Sequence, residues 1–146
     1  MKGGCICGSV RFEVTENPIT LYACHCTDCQ TVSGSGFVLG MRVPIGSIKI
    51  TKGAPVAYER SRADGRKKNI FRCPDCLTAL WSSHLEPSDY EMIYAGTLDN
   101  SSSLQPVGHI WTRSAQPWIT IPEDVLSYKT QPENMDAIVQ AWKDRV

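Results

Sequence analysis

The chain has 146 residues, with 15 basic and 15 acidic side chains and a formal net charge of zero. This length predicts a single domain, 1–146, because domains cluster around ~100–150 residues and such a chain can bury a core. The lack of net charge argues against a general attraction to nucleic acid or to an anionic membrane. No apolar run approaches the ~18 residues of a transmembrane helix.

Cysteine usage is the unusual part of the composition. There are seven cysteines, five of them in the first 29 residues, and an odd number cannot be fully paired in internal disulfides. The N-terminal run M-K-G-G-C lacks the apolar region of a signal peptide. These observations predict a reducing, cytoplasmic location in which the thiols hold metal ions.

The first cysteine pair, Cys5 and Cys7, is followed by Gly8, which can take a positive φ in a tight turn. Residues 9–14 then alternate apolar and polar side chains, the period of a half-buried strand. By pattern and turn signals the predicted strands are 9–14, 20–23, 37–43, 47–51, 56–61, 69–72, 78–82, 90–95 and 108–112. Together they predict a mainly β protein built from twisted antiparallel sheets.

The segment C-H-C-T-D-C places three thiols, Cys24, Cys26 and Cys29, within six residues. Alternate side chains of an extended chain share a face, so Cys24 and Cys26 can point the same way, and a turn over 27–28 returns Cys29 to them. Three sulfurs leave one tetrahedral position open, as at a catalytic zinc. The alternative is three buried or disulfide-bonded cysteines. Residues 33–36, S-G-S-G, are expected to form a flexible loop.

A hairpin signal, Asp64-Gly65, predicts that residues 58–61 pair with residues 69–72. The basic residues around it are Arg60, Arg62, Arg66, Lys67 and Lys68. A solvated hairpin tip is the favoured interpretation of this basic cluster. The sharper alternative is a docking point for carboxylates or phosphates of a substrate.

The second short pair, Cys73 and Cys76, encloses Pro74, which suits a tight turn by fixing φ. A C-x2-C turn of this kind is a zinc knuckle. Joined with Cys5 and Cys7 on one ion, it would close a site of four thiolates. The seven thiols therefore divide as four plus three, which predicts one structural and one open zinc site.

The end of the chain differs from the rest. Met135, Ile138, Val139 and Trp142 recur at the spacing of one helical face. This predicts a C-terminal amphipathic helix over about 132–144, with an ordinary packing role.

Five blocks carry a resemblance to a known family: G-G-C-I-C-G-S-V-R-F, C-H-C-T-D-C-Q-T-V-S-G-S, F-R-C-P-D-C, G-T-L-D and H-I-W-T-R-S-A-Q-P-W-I. Over about residues 3–122 the chain resembles the glutathione-dependent formaldehyde-activating enzymes, a family that includes centromere protein V. The resemblance implies β-sheets built on zinc knuckles, similar to the fold of a Rab-interacting zinc protein. It also implies a structural zinc on Cys5, Cys7, Cys73 and Cys76 and a catalytic zinc on Cys24, Cys26 and Cys29.

One departure from the family pattern concerns the second knuckle. The family usually has Gly-Thr after the last cysteine pair, whereas this chain has Leu77-Thr78. A leucine at positive φ is strained, so we expect a slightly different turn here.

The reaction implied by the resemblance joins or separates formaldehyde and glutathione through a carbon–sulfur bond. A substrate thiol entering the open position would bind as the thiolate. Three thiolates make zinc a weak Lewis acid, which favours thiolate delivery over carbonyl activation.

The histidines are expected to play lesser parts. His25 should point away from both neighbouring cysteines, in a supporting role or in the pocket wall. His109 is expected either to line the substrate pocket, by family analogy, or to be a hydrogen-bonded core residue. His84 is placed in a polar turn without a chemical role.

Three functions remain in competition. The first is a zinc-dependent carbon–sulfur lyase that acts on a glutathione–formaldehyde adduct or a related small thiol. The second is a zinc β-scaffold that binds protein or nucleic acid without turnover, and a metal or thiol buffer is a third. An open coordination position favours the enzyme, since a scaffold has no use for one.

Overall fold

The computed structural model describes residues 1–61 and 65–145. In chain order, the strands of these residues are β1 (Lys2–Gly4), β2 (Arg11–Val14), β3 (Thr20–Cys24), β4 (Val38–Pro44), β5 (Ile48–Lys52), β6 (Val56–Ser61), β7 (Lys67–Arg72), β8 (Ala79–His84), β9 (Tyr90–Tyr94), β10 (Gly108–Ile110) and β11 (Leu126–Tyr128). The helices are α1 (Thr27–Ser33) and α2 (Asp136–Lys143). The nine predicted strands are present with shifted ends, and β1 and β11 were not predicted.

The chain forms two compact units and passes between them three times: after Pro18, within β4 and after Ser103. Unit 1 contains Met1–Pro18 and Arg42–Ser103, and unit 2 contains Ile19–Met41 and Leu104–Val146. Each unit carries one of the two cysteine groups. The single domain 1–146 stays a prediction.

Unit 1 is antiparallel throughout the strand pairs that can be described. β1, β2 and β5 form a three-stranded sheet in that order. β9, β8, β7 and β6 follow one another as neighbours joined by short connections. The core of the unit includes Trp81, which meets the ring of Phe12 edge-on at 5.7 Å and stacks on Phe71 at 4.8 Å. Such aromatic contacts add to the stability gained from burying the rings.

The predicted hairpin is confirmed as the β6–β7 pair. Tyr58 lies opposite Ile70, and Glu59 lies opposite Asn69. Its tip, residues 62–64, lies outside the described residues, so Arg62 and the predicted Asp64 turn are not part of this description.

Unit 2 corrects the expectation of purely antiparallel sheets. The strand order is β11, β10, β3 and β4, and β10 runs parallel to both β3 and β11. β3 is buried along its whole length, as is usual for strands covered on both faces. An alternating pattern has a period of two in parallel and antiparallel strands alike, so the sequence could not distinguish them. The sheets are therefore mixed, in a fold that is mainly β as predicted.

The C-terminal helix is confirmed, though it is shorter than predicted. α2 buries Ile138 and Trp142, and Ile138 packs so closely on Gly108 that a Cβ there would lie 3.1 Å from its side chain. The buried hydroxyl of Thr20 donates to the Ile138 carbonyl at 3.1 Å, which ties the helix to β3. Across the described ranges, no helix combines the length and apolarity needed to cross a membrane.

Helix α1 replaces the predicted turn at 27–28 and part of the predicted loop at 33–36. It begins after Cys26, whose Sγ accepts a hydrogen bond from the Cys29 N–H at 3.3 Å. It ends at Gly34, which has φ of 63° and whose N–H donates to the Gln30 carbonyl. Seven residues without a buried side chain leave no apolar stripe, so the hydrophobic pattern gave no sign of this helix.

Candidate metal centres

Unit 1 brings four predicted ligands together. The Sγ atoms of Cys5, Cys7, Cys73 and Cys76 all lie within 4.8 Å of one another. Cys5 follows β1 and Cys73 follows β7, and both are buried, whereas Cys7 is exposed. Four sulfurs at this spacing match the donor set of a closed tetrahedral zinc site.

Hydrogen bonds to two of the four sulfurs, Cys5 and Cys76, favour thiolates, whereas burial and its cysteine neighbours raise the pKa of Cys73. The Val10 N–H donates to Cys5 Sγ at 3.2 Å. The Thr78 hydroxyl lies 3.1 Å from Cys76 Sγ, and this contact, followed by the Thr78 N–H, lowers the pKa of Cys76 to about 5. A thiolate already favoured near neutral pH is ready to act as a metal ligand.

Leu77 takes φ of 60°, so the strained left-handed conformation is present despite the Cβ, and a turn slightly different from that of the family stays a prediction. The turn closes through hydrogen bonds at both ends: the Leu77 N–H donates to the Cys73 carbonyl, and the Cys73 N–H donates to the Thr78 carbonyl, each at 3.0 Å. The leucine side chain is 58% exposed. The knuckle therefore keeps a left-handed residue, at a cost of roughly 1–2 kcal/mol for a residue with a Cβ.

Unit 2 brings the other three predicted ligands together. The Sγ atoms of Cys24, Cys26 and Cys29 lie within 4.8 Å of one another. Cys24 ends β3 and is buried, while Cys26 and Cys29 lie at the start of α1 and are half-buried. Contacts with Cys26 and Cys29, together with burial, raise the pKa of Cys24. Three crowded thiols resist ionisation together unless a cation offsets their charge.

This donor set fits a zinc ion. Thiolate sulfur binds borderline-soft metals, and three protein ligands leave room for a fourth from solvent or substrate. The fourth ligand is not supplied by His25, which is not a member of the three-sulfur group although it lies between two of its cysteines.

His25 and His109 form a buried pair. His25 Nε2 and His109 Nδ1 are 2.9 Å apart, and the rings stack with centroids 5.2 Å apart. Phe37 lies against His25 at 5.4 Å. Burial lowers the pKa of both histidines, and the charge of His25 lowers that of His109 further. The pair is therefore uncharged at neutral pH.

The exposure of the histidines bears on their expected roles. His25 is fully buried and His109 is 7% exposed, which leaves little surface for a substrate to touch. His84 is the last residue of β8 and not part of a turn, a correction to the prediction. Its Nε2 lies 3.1 Å from the Tyr90 hydroxyl.

The basic cluster of the β6–β7 hairpin belongs to unit 1. Among its described members, Lys67 forms an ion pair with Glu59 at 2.7 Å, both side chains being about half exposed. The backbone N–H of Lys67 donates to Glu86. These contacts are typical of a solvated hairpin, the favoured interpretation.

Sequence reasoning missed a set of polar residues beside the three cysteines. Gln30 and Ser114 both donate to the carbonyl of His25, Gln30 also donates to the Ser114 carbonyl, and Gln116 donates to Gln30. Two of the quoted sequence blocks contain them, but a glutamine or serine carries no pattern that reveals its partner.

A family model described as glutathione-dependent formaldehyde-activating enzyme matches residues 1–114. The chain belongs to this family. The match includes all seven cysteines, both buried histidines and Gln30, and it ends at Ser114.

Solved structures give a more distant likeness. A protein of Rhodobacter sphaeroides, known from its crystal structure, superposes with a TM-score of 0.55 at 16% identity, covering 88% of this chain and 99% of its own. At that identity the likeness concerns the fold. No curated protein matches the chain.

Proposed function

We propose that this protein is a zinc-dependent carbon–sulfur lyase that interconverts S-hydroxymethylglutathione with formaldehyde and glutathione, or handles a related small-thiol adduct. The observation that carries the proposal is the division of the cysteines into a group of four and a separate group of three. Membership of the formaldehyde-activating family supports the substrate class.

Each cysteine group has its own role in the proposal. Cys5, Cys7, Cys73 and Cys76 hold a structural zinc, and Cys24, Cys26 and Cys29 hold the catalytic one. The ion at the second group would supply an open coordination position that binds a substrate thiol as its thiolate. All seven thiols are free of disulfides, which suits a reducing compartment such as the cytoplasm.

The reaction needs no protein nucleophile. In the synthetic direction the substrate sulfur attacks the formaldehyde carbon, a C–S bond forms, the C=O π bond breaks, and the thiol proton ends on the new hydroxyl. The reverse direction breaks the C–S bond and returns the proton to sulfur.

The chain's own residues prepare this step. β3 and α1 fix the three sulfurs, and the buried pair of His25 and His109 holds the backbone between Cys24 and Cys26 against β10. The half-buried Cys26 and Cys29 leave this side of the group accessible, whereas Cys24 is closed off by burial.

Cobalt substitution tests the proposal directly, because Co²⁺ bound by thiolates absorbs visible light. With Co²⁺ at the three-cysteine group, glutathione should change the spectrum as its sulfur coordinates. Cys26→Ser should abolish this change together with any exchange between formaldehyde and S-hydroxymethylglutathione above background. Thiols and formaldehyde condense unaided, so the measured rate must scale with protein concentration.

A further arm decides between the lyase and the binding module. If no thiol perturbs the metal while a protein or nucleic acid binds tightly, the lyase proposal falls and the binding module replaces it.

A further inference from the structure

The backbone N–H and carbonyl of His25, which lies between two of the three cysteines, are both hydrogen-bonded. The His25 N–H donates to the Ile110 carbonyl at 3.0 Å. The His25 carbonyl accepts from the side chains of both Gln30, at 2.8 Å, and Ser114, at 2.9 Å. The peptide that joins His25 to Cys26 is therefore fixed in orientation, and with it the distance between the sulfurs of Cys24 and Cys26.

Gln30 is the centre of this arrangement. Its Nε2 donates to the carbonyls of His25 and Ser114, at 2.8 and 2.7 Å, and its Oε1 accepts from Gln116 Nε2 at 2.7 Å. Both amide hydrogens are used on backbone carbonyl oxygens, which can only accept, and this fixes which way the Gln30 amide faces. Only an amide of this length supplies two donors and an acceptor in one plane.

We propose that Gln30 is the positioning residue of the three-cysteine metal site. It acts by holding the His25–Cys26 peptide, and through it the spacing of the sulfurs, without touching the metal. Replacing a residue that orients metal ligands typically lowers the metal affinity 10–100-fold. This inference rests on the proposed function in one respect, that the three cysteines hold a metal ion.

The hydrogen bonds of Gln30 act on the cysteine segment itself, because they join its end to its middle and to the segment after β10. Gln30 lies one residue after Cys29 on α1, so its side chain connects the end of the cysteine segment back to its middle. Ser114 and Gln116 belong to the segment after β10. Without Gln30, the His25 carbonyl keeps a single side-chain donor, Ser114, and the peptide gains freedom to rotate.

The test uses the full chain with zinc retained at the four-cysteine group and Co²⁺ titrated into the three-cysteine group. Gln30→Met keeps the length of the side chain but removes all three hydrogen bonds. We expect its Co²⁺ dissociation constant to rise 10–100-fold. Gln105→Met is the matched control, since Gln105 is exposed and lies outside this network, and its affinity should equal that of the wild type.

A second variant covers the case in which Gln30→Met does not fold. Gln116→Met leaves both donor bonds of Gln30 in place but removes the donor to its Oε1, and we expect a smaller loss of Co²⁺ affinity in the same direction. Thermal unfolding of each variant is measured in parallel. A merely structural glutamine would lower the melting temperature and leave the Co²⁺ affinity unchanged.

The outcomes separate this inference from the proposed function. If the wild type takes up no Co²⁺ at the three-cysteine group, the proposed function fails first. If the wild type binds Co²⁺ and Gln30→Met binds within about twofold of it, or Gln105→Met weakens binding equally, the positioning role of Gln30 is wrong while the metal site stands.

Discussion

The two cysteine groups differ in what holds them together. Cys7 and Cys73 of unit 1 approach to 3.7 Å across 66 residues of chain, whereas the three cysteines of unit 2 lie within a single six-residue segment. In unit 2 the long-range contacts are instead hydrogen bonds, from residues 84 and 89 positions away, to the backbone and ring of His25. A metal in unit 1 would cross-link distant segments, while in unit 2 distant segments position a local site.

From this contrast we expect the largest loss of stability when a single sulfur is removed from the four-cysteine group. Structural zinc is worth on the order of 10–16 kcal/mol of apparent binding, comparable with the ~5–15 kcal/mol stability of a whole domain. Cys73→Ser should therefore unfold or precipitate the protein, as should Cys5→Ser. Circular dichroism and solubility measure the result.

The matched substitution in unit 2 should act differently. Cys29→Ser removes one of three sulfurs from a local group and should leave the protein folded, with one zinc ion per chain instead of two. A Cys73→Ser protein as stable as the wild type would contradict the contrast. So would a Cys29→Ser protein that unfolds.

The next effect concerns metal release. Purified under reducing conditions, the protein should hold two zinc ions per chain by elemental analysis. A chelator should remove them in two phases, the three-cysteine ion first because it has one fewer protein ligand. The fast phase should be missing in Cys29→Ser, and a single phase for both ions would argue against two unequal sites.

A smaller effect on stability is expected at the two described non-glycine residues with positive φ. They are Leu77 in unit 1 and Trp111 in unit 2, both with φ of 60°. Leu77 is exposed, so Leu77→Gly relieves strain and should stabilise the protein by about 0.5–1 kcal/mol, after the entropy cost of glycine in the unfolded chain. Trp111 stacks under Arg113 and donates from its ring to Gln131. Trp111→Gly should therefore destabilise, and thermal melts of the two variants should shift in opposite directions.

The smallest expected effect is a pH dependence in unit 1. Arg11, through its hydrogen bond and charge, lowers the pKa of Asp99 in the folded protein. The resulting stabilisation is present above the ordinary carboxyl pKa of ~3.9 and is lost as pH falls through the lowered value. Asp99→Asn should be slightly less stable than the wild type at pH 7. The difference should vanish in acid, and a constant difference at all pH values would exclude the charge as its cause.

The sequence predicted those features that repeat or that cluster by residue type. Alternation located nine strands, and cysteine spacing anticipated which sulfurs lie together. The positive φ of Leu77 could not be predicted, because the cost of a left-handed residue, ~1–2 kcal/mol, is small enough for other contacts of the fold to offset.

The missed features depend on partners far away in the chain. Helix α1 is short and buries no side chain, so its sequence has no hydrophobic periodicity by which the helix could be predicted. The parallel pairing of β10 with β3 depends on how the chain crosses over between them. The hydrogen bonds of Gln30 reach Ser114 and Gln116, and a single sequence holds no trace of such a pairing.

The separation of His25 and Ser114 along the sequence also determines when their hydrogen bond can form during synthesis of the chain. Ser114 is translated 89 residues after His25, an interval of roughly 4–18 s at ~5–20 residues per second. During that interval the nascent chain presents three neighbouring thiols without the Ser114 hydroxyl that later holds the His25 carbonyl. A metal ion captured in that interval would be selected by its availability and its intrinsic affinity for sulfur, an order in which Cu⁺ competes well with Zn²⁺.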